Sequence, residues 1–117
     1  MSDQLEITLG NGRDDVPVLR LRGRIEAPGA QQLRERCAEL HEGGCSRLVI
    51  DLDGVTFVAS SGLGTFLLLT EEFRSAGGKL VLAAPRTGVT QVLELLNLDQ
   101  FLDISPSIEG ALAGTGR

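Results

Sequence analysis

The sequence predicts an α/β fold: a small mixed β-sheet of four to five strands with helices packed on it, in the order β-β-α-β-α-β-α-β-α. Three observations carry that prediction. Two stretches near the start alternate apolar and polar residues, the period of a half-buried strand. Short continuous apolar runs follow, suited to strands buried on both faces, with helically spaced apolar positions between them. Paired glycines, Gly43-Gly44 and Gly77-Gly78, stand where two of those helical patterns stop.

Leu5, Ile7 and Leu9 alternate with polar neighbours and predict the first strand. Residues 10–15 are turn chemistry, because Gly and Asn tolerate positive φ. Alternation resumes over 16–22, with Leu19 and Leu21 on one face, so the two strands read as an antiparallel hairpin. Residues 23–28 break it. From 29 to about 42, Ala30, Leu33, Cys37 and Leu40 recur at helical spacing. Leu48, Val49 and Ile50 predict a buried strand. Residues 61–76 predict a second helix with a broad apolar face of Leu63, Phe66, Leu67, Leu69 and Phe73. Residues 80–84 predict a further buried strand, ended by Pro85. Val89, Val92, Leu93 and Leu96 mark a third helix. A short strand over 101–104 and a last helical turn or two over 108–112 complete the chain, and 113–117 reads as a frayed tail. One domain is therefore expected over 1–117, with its core at about 5–112. Strands joined through helices call for parallel pairing with right-handed crossovers, and the hairpin adds one antiparallel strand.

Composition narrows the function. The 117 residues hold 11 Lys+Arg against 16 Asp+Glu, a net charge of -5, and Lys79 is the sole lysine. No basic stripe is available to neutralise phosphates, which argues against nucleic acid as a partner. There is no Trp or Tyr, and the four Phe make no base-stacking platform. A single histidine, His41, excludes multi-histidine metal sites, and no cofactor is expected. The N-terminus has no basic segment leading into an apolar one, so it does not read as a signal peptide. Apolar runs such as 66–69 are far short of the roughly 20 residues of a membrane span. A cytoplasmic protein without membrane insertion is expected. Cys37 and Cys45 then read as free thiols, with Cys37 in the core and His41 near solvent at a helix end.

Two motifs bear on chemistry. Asp51-Leu52-Asp53-Gly54 follows an apolar run and resembles the first motif of the haloacid-dehalogenase-like phosphohydrolases. That likeness implies Asp51 as nucleophile, Asp53 as general acid/base and Mg²⁺ between them. The rest of such a site is not matched, since Lys79 begins a strand and Glu71-Glu72 lie mid-helix. The bland alternative is that both Asp end a strand and open a turn into Gly54. The second motif is Ala59-Ser60-Ser61-Gly62-Leu63-Gly64, with adjacent hydroxyls before a helix. One Ser is expected to cap that helix. Two glycines in the first turn cost about 1 kcal/mol each against Ala, which makes sense where another molecule's backbone approaches closely. A Ser at a helix N-terminus also suits phosphorylation, because the dipole and free N–H groups stabilise the added charge.

Residues 57–64 resemble the D-S-[ST]-G-L-G signature of STAS domains, in particular the bacterial anti-sigma factor antagonists. The likeness extends over about 5–112. Leu21-Arg22-Gly23-Arg24-Ile25-Glu26 matches the family's L-x-G-x-[LI]-D, and Gly77-Gly78-Lys79-Leu80-Val81-Leu82 through Pro85 matches its G-G-x-L-x-L…P. The resemblance implies a non-enzymatic module that binds an anti-sigma factor serine kinase, frees a sigma factor, and is switched off by phosphorylation. A metal-dependent serine phosphatase would reverse the switch. The implied phosphoacceptor is Ser60, with Ser61 as fallback, and the implied partner-binding residues are Glu26, Ala59, Ser60, Ser61, Gly62, Leu63 and Gly64. Two positions depart from the pattern: Ala59 stands where the family has Asp, and Glu26 replaces an Asp. The chain is expected to be a monomer or weak dimer. The alternative reading is a STAS subunit of a membrane lipid-transport ATPase, and the third is the phosphohydrolase.

Overall fold

Alternating side chains decide which face of the sheet each helix covers. The computed structural model describes residues 4–115. Its strands are β1 (Glu6–Asn11), β2 (Pro17–Ile25), β3 (Arg47–Val58), β4 (Lys79–Ala83) and β5 (Asp103–Ser105). The helices are α1 (Ala27–Glu42), α2 (Ser60–Ser75), α3 (Thr87–Leu95) and α4 (Ile108–Thr115), with 3₁₀ turns at Arg13–Asp15 and Leu98–Gln100. The strands lie in the order β1-β2-β3-β4-β5, with β1 antiparallel to β2 and the other neighbours parallel. This is the predicted mixed sheet and element order.

A parallel order that advances one strand at a time, with crossovers of one hand, sends every crossover helix to the same face. The main core shows this. Leu19, Leu21, Leu48, Ile50, Leu52, Leu80 and Leu82 point from the sheet to Leu33 and Cys37 of α1, Phe66 and Phe73 of α2, and Leu93 of α3. The intervening residues Val18, Val49, Val81 and Ala83 form a second, smaller cluster with Ala111 and Leu112 of α4. Cys37 is fully buried and His41 is exposed, as expected of both, with the His41 ring tilted against Phe73 at 5.2 Å between centroids.

Several boundaries differ from the sequence reading. The expected break at residue 23 is absent: β2 continues through Gly23, whose φ of 110° absorbs a register shift against β3. The expected strand end at Asp51 is also absent, because β3 runs on to Val58. Gly54 lies at the other register shift, where a Cβ would meet the Leu21 carbonyl oxygen at 2.8 Å. Helix α1 starts at Ala27 rather than 29, since Pro28 is preorganised for a first turn. Strand β5 begins at Asp103, leaving Phe101 outside it, and α4 extends three residues past 112. The other residues read as a tail, Gly116 and Arg117, lie outside the described residues.

Candidate functional site

Two strands bring the predicted residues together. Pairing of β2 with β3 ends at Ile25↔Val58, and the Ala59 N–H continues it to the Ile25 carbonyl at 2.9 Å. Each strand leads directly into a helix. Glu26 is the residue before α1, and Ala59 the residue before α2. The two loops therefore lie side by side, and two helix N-termini, each a locus of positive potential, open beside them.

Ser60 is the first residue of α2 and is exposed, as is Ser61. Neither hydroxyl bonds to another described residue. The expected serine cap is corrected: the N-cap is Ala59, in extended conformation, and its carbonyl accepts from Gly62 at 2.9 Å and Leu63 at 3.0 Å. Ala59 has no side-chain oxygen to give the first turn, so its free N–H groups remain available for an anion.

The two glycines separate. A Cβ at Gly62 would lie 2.7 Å from both Ile25 Cγ2 and Val58 Cγ1, so this glycine lets α2 settle on the ends of β2 and β3. The expectation that it makes room for a partner is corrected: the space is filled from inside. Leu63 is likewise buried in the main core. At Gly64 a Cβ would meet nothing within 4 Å, so that position faces open space. It lines a groove of about 440 Å³ between α1 and α2, with Ala27, Ala30, Arg34, Ser61 and Leu68. A second groove, of about 570 Å³, is lined by Arg24, Glu26, Pro28, Gly29 and Gln32. The cavity of about 560 Å³ over β5 and α4 holds none of the predicted site residues.

Sequence reasoning missed the pair that completes this surface. Arg24 lies opposite Phe57 in the β2–β3 register, and its guanidinium carbon sits 4.2 Å from the ring centroid. The same guanidinium donates to Glu26 Oε2 at 3.1 Å. Phe57 keeps 39% of its surface exposed. Phe57 was visible in the sequence only as the start of the stretch 57–64, and its partner is fixed by the shifted register.

The aspartates of the D-x-D-G motif are elsewhere. Both lie inside β3, so the expected strand-end placement is corrected. Asp51 is 8% exposed; its Oδ1 accepts the Asp53 N–H at 2.9 Å, and its Oδ2 lies 3.9 Å from Arg20 Nε. The Asp53 carbonyl accepts from Arg86 at 2.5 Å. These contacts give Asp51 a structural use at the register shift. Among the described residues, no helix is long and apolar enough to cross a membrane.

Comparison with known proteins agrees with this fold. The sequence pattern of the STAS domain matches residues 11–111. The chain is 28% identical over 108 residues to the anti-sigma-B factor antagonist of Bacillus subtilis, covering 92% of this chain and 97% of that one. Its fold is similar to the crystal structure of an anti-sigma factor antagonist from Mycobacterium paratuberculosis, with a TM-score of 0.88, 22% identity, and coverage of 100% of this chain and 98% of that one. It is also similar to the Bacillus anti-sigma factor antagonist SpoIIAA, solved in unphosphorylated and phosphorylated forms. The TM-scores are 0.76 and 0.71, each at 20% identity, with 96% and 93% of this chain and 98% of those chains covered.

Proposed function

The chain belongs to the STAS domain family, and from that premise we propose that it is an anti-sigma factor antagonist switched off by phosphorylation of Ser60. It acts by binding, as a cytoplasmic module rather than an enzyme. Its partner is an anti-sigma factor that is a serine kinase, and binding releases the sigma factor. The kinase moves the γ-phosphoryl of ATP to Ser60 Oγ, leaving ADP and releasing the hydroxyl proton. A metal-dependent serine phosphatase hydrolyses the ester again.

The observation that carries this reading is the placement of Ser60: exposed, its hydroxyl without a hydrogen bond to another described residue, on the first turn of α2 and next to the Glu26 loop. A helix start holds a phosphate without unfolding anything. The named relative and the fold neighbours support it, one of them having been solved in both phosphorylation states.

Electrostatics make one phosphate sufficient. It adds about -1.5 to -2 charge at pH 7 to a chain already at -5. Two like unit charges about 5 Å apart repel by about 3 kcal/mol at an effective dielectric of about 20, which weakens a complex roughly a hundredfold or more.

Incubation with the cognate kinase and ATP tests the reading. Intact mass rises by one phosphate, and Ser60→Ala abolishes the rise. Persistent phosphorylation of the Ala variant would move the acceptor to Ser61. Ser60→Asp weakens the complex; unchanged affinity would defeat the repulsion argument.

A further inference from the structure

We propose that Arg24 is an internal receiver for the phosphate on Ser60, and that it leaves Glu26 and Phe57 when the phosphate arrives. This rests on the reading of Ser60 as phosphoacceptor and adds how the modification is sensed within the chain.

Arg24 is suited to move. Among the described residues its ion-pair partner is the Glu26 carboxylate, and its other contact is the face of Phe57. The pair is solvent-accessible, with the Arg24 and Glu26 side chains 37% and 52% exposed. Exposed pairs of this kind are weak, so little holds the guanidinium where it is. Ala59 brings no second carboxylate to the loop.

The destination lies on the same pair of strand ends. Phe57, under the guanidinium, is three residues before Ser60, and the backbone between them is tied to β2 by the Ala59–Ile25 hydrogen bond of 2.9 Å. A phosphate offers nearly twice the charge of a carboxylate and three acceptor oxygens, and a guanidinium binds it bidentately. Glu26 and the phosphate thus compete for one cation, and the phosphate is the stronger competitor. Its capture of Arg24 uncovers the Phe57 ring and frees the Glu26 carboxylate. Phosphorylation then changes three features of the partner surface rather than one.

The test installs phosphoserine at position 60 genetically, so that no kinase is needed. The ³¹P resonance is titrated in the full chain. A guanidinium bound to the phosphate at this solvent-exposed site, where the effective dielectric approaches that of water, stabilises the dianion, so Arg24→Gln raises the phosphate's second pKa by about 0.5–1 unit. Arg22→Gln, on the neighbouring exposed position, moves it by less. Glu26→Gln lowers it, and that effect shrinks in the Arg24→Gln background because the two groups compete. The Arg24 Nε–H resonance, shifted by the Phe57 ring in the unmodified protein, loses that shift on modification. An identical phosphate pKa in the wild type and Arg24→Gln overturns the proposal. A kinase that ignores Ser60 would instead overturn the proposed function and leave this titration intact.

Discussion

Exchanging each glycine of α2's first turns for alanine separates internal fit from surface access. Alanine at position 62 gains about 1 kcal/mol of helix propensity. Against that, the new Cβ lies 2.7 Å from two core methyls, Ile25 Cγ2 and Val58 Cγ1. Carbon atoms rest at about 3.5–4.0 Å, so α2 or both strand ends must retreat by about 1 Å. Ile25 is fully buried and has nowhere to go. Overpacking of this kind costs about 1–3 kcal/mol. The steric cost wins, and Gly62→Ala is less stable by about 1 kcal/mol net. Gly64→Ala meets nothing within 4 Å and gains up to about 1 kcal/mol from propensity alone. Urea denaturation reads both. With a slope of about 1–2 kcal/mol/M, the midpoint falls by about 0.5–1 M for Gly62→Ala and rises by a similar amount for Gly64→Ala, with slopes unchanged. A Gly62→Ala midpoint at or above wild type would refute the internal-fit account. A loss of kinase binding in Gly64→Ala, alongside its raised stability, identifies position 64 as the close-approach point.

Three further measurements follow. Thr70 Oγ1 is buried with no hydrogen-bond partner among the described residues, so Thr70→Val raises stability by about 1 kcal/mol, read as a higher urea midpoint. Burial pushes the Cys37 thiol up to about 12 from an ordinary 9.0, with smaller contributions from Cys45 and Glu72, and burial also raises Cys45. The folded state therefore keeps protons that the unfolded state loses above pH 9. Stability falls by up to about 1.4 kcal/mol per pH unit for each such group through that range. With no Tyr and one Lys, little else titrates there, and Cys37→Ala flattens the slope; an unchanged slope would assign it elsewhere. Asp51→Ala deprives the Asp53 N–H of its acceptor and costs about 1–2 kcal/mol, whereas Asp51→Asn keeps an acceptor oxygen and costs less; equal losses would show that charge, through Arg20, is what matters.

The element order was legible because burial sets period, and period survives in one dimension. Leu19 and Leu21 alternate, Leu48 to Ile50 run on unbroken, and Leu33 and Cys37 keep helical spacing. What failed was the reading of Gly23 and Gly54 as punctuation, whereas Gly43-Gly44 and Gly77-Gly78 do follow helix ends. Gly23 and Gly54 look like turns, yet each sits at a register shift inside a paired strand. A bulge and a turn use the same residue for the same conformational freedom. They differ only in whether another strand lies alongside, which a local window does not contain. Gly62 and Gly64 make the same point within one helical turn, since identical residues two positions apart face a full core and an empty groove. The candidate residues at 26 and 59–61 could be named from the sequence, and they stand at neighbouring helix starts. Arg24 on Phe57 could not, because it depends on the shifted register.

The ends of the outer pairings explain where the candidate site stands. Pairing of β1 with β2 stops at Glu6↔Arg22, and pairing of β3 with β4 stops at Asp51↔Ala83. Beyond those points only β2 and β3 continue together, so 23–25 and 54–58 form a two-stranded parallel arm that carries both loops. A two-stranded ribbon is poorly stable alone, and this one is braced from both sides. Ile25 and Val58 face inward, against Gly62 of α2. Arg24 and Phe57, one residue earlier on each strand, face outward and clasp each other, as the alternation of strand side chains requires. The inner brace is apolar and indifferent to charge. The outer brace is a cation on a ring, open to competition from any stronger anion nearby. On the proposed switch, a phosphate on Ser60 would alter the outer face while Ile25, Val58 and Gly62 hold the arm in place. That division would let the proposed modification change what a partner meets without unfolding the surface that presents it.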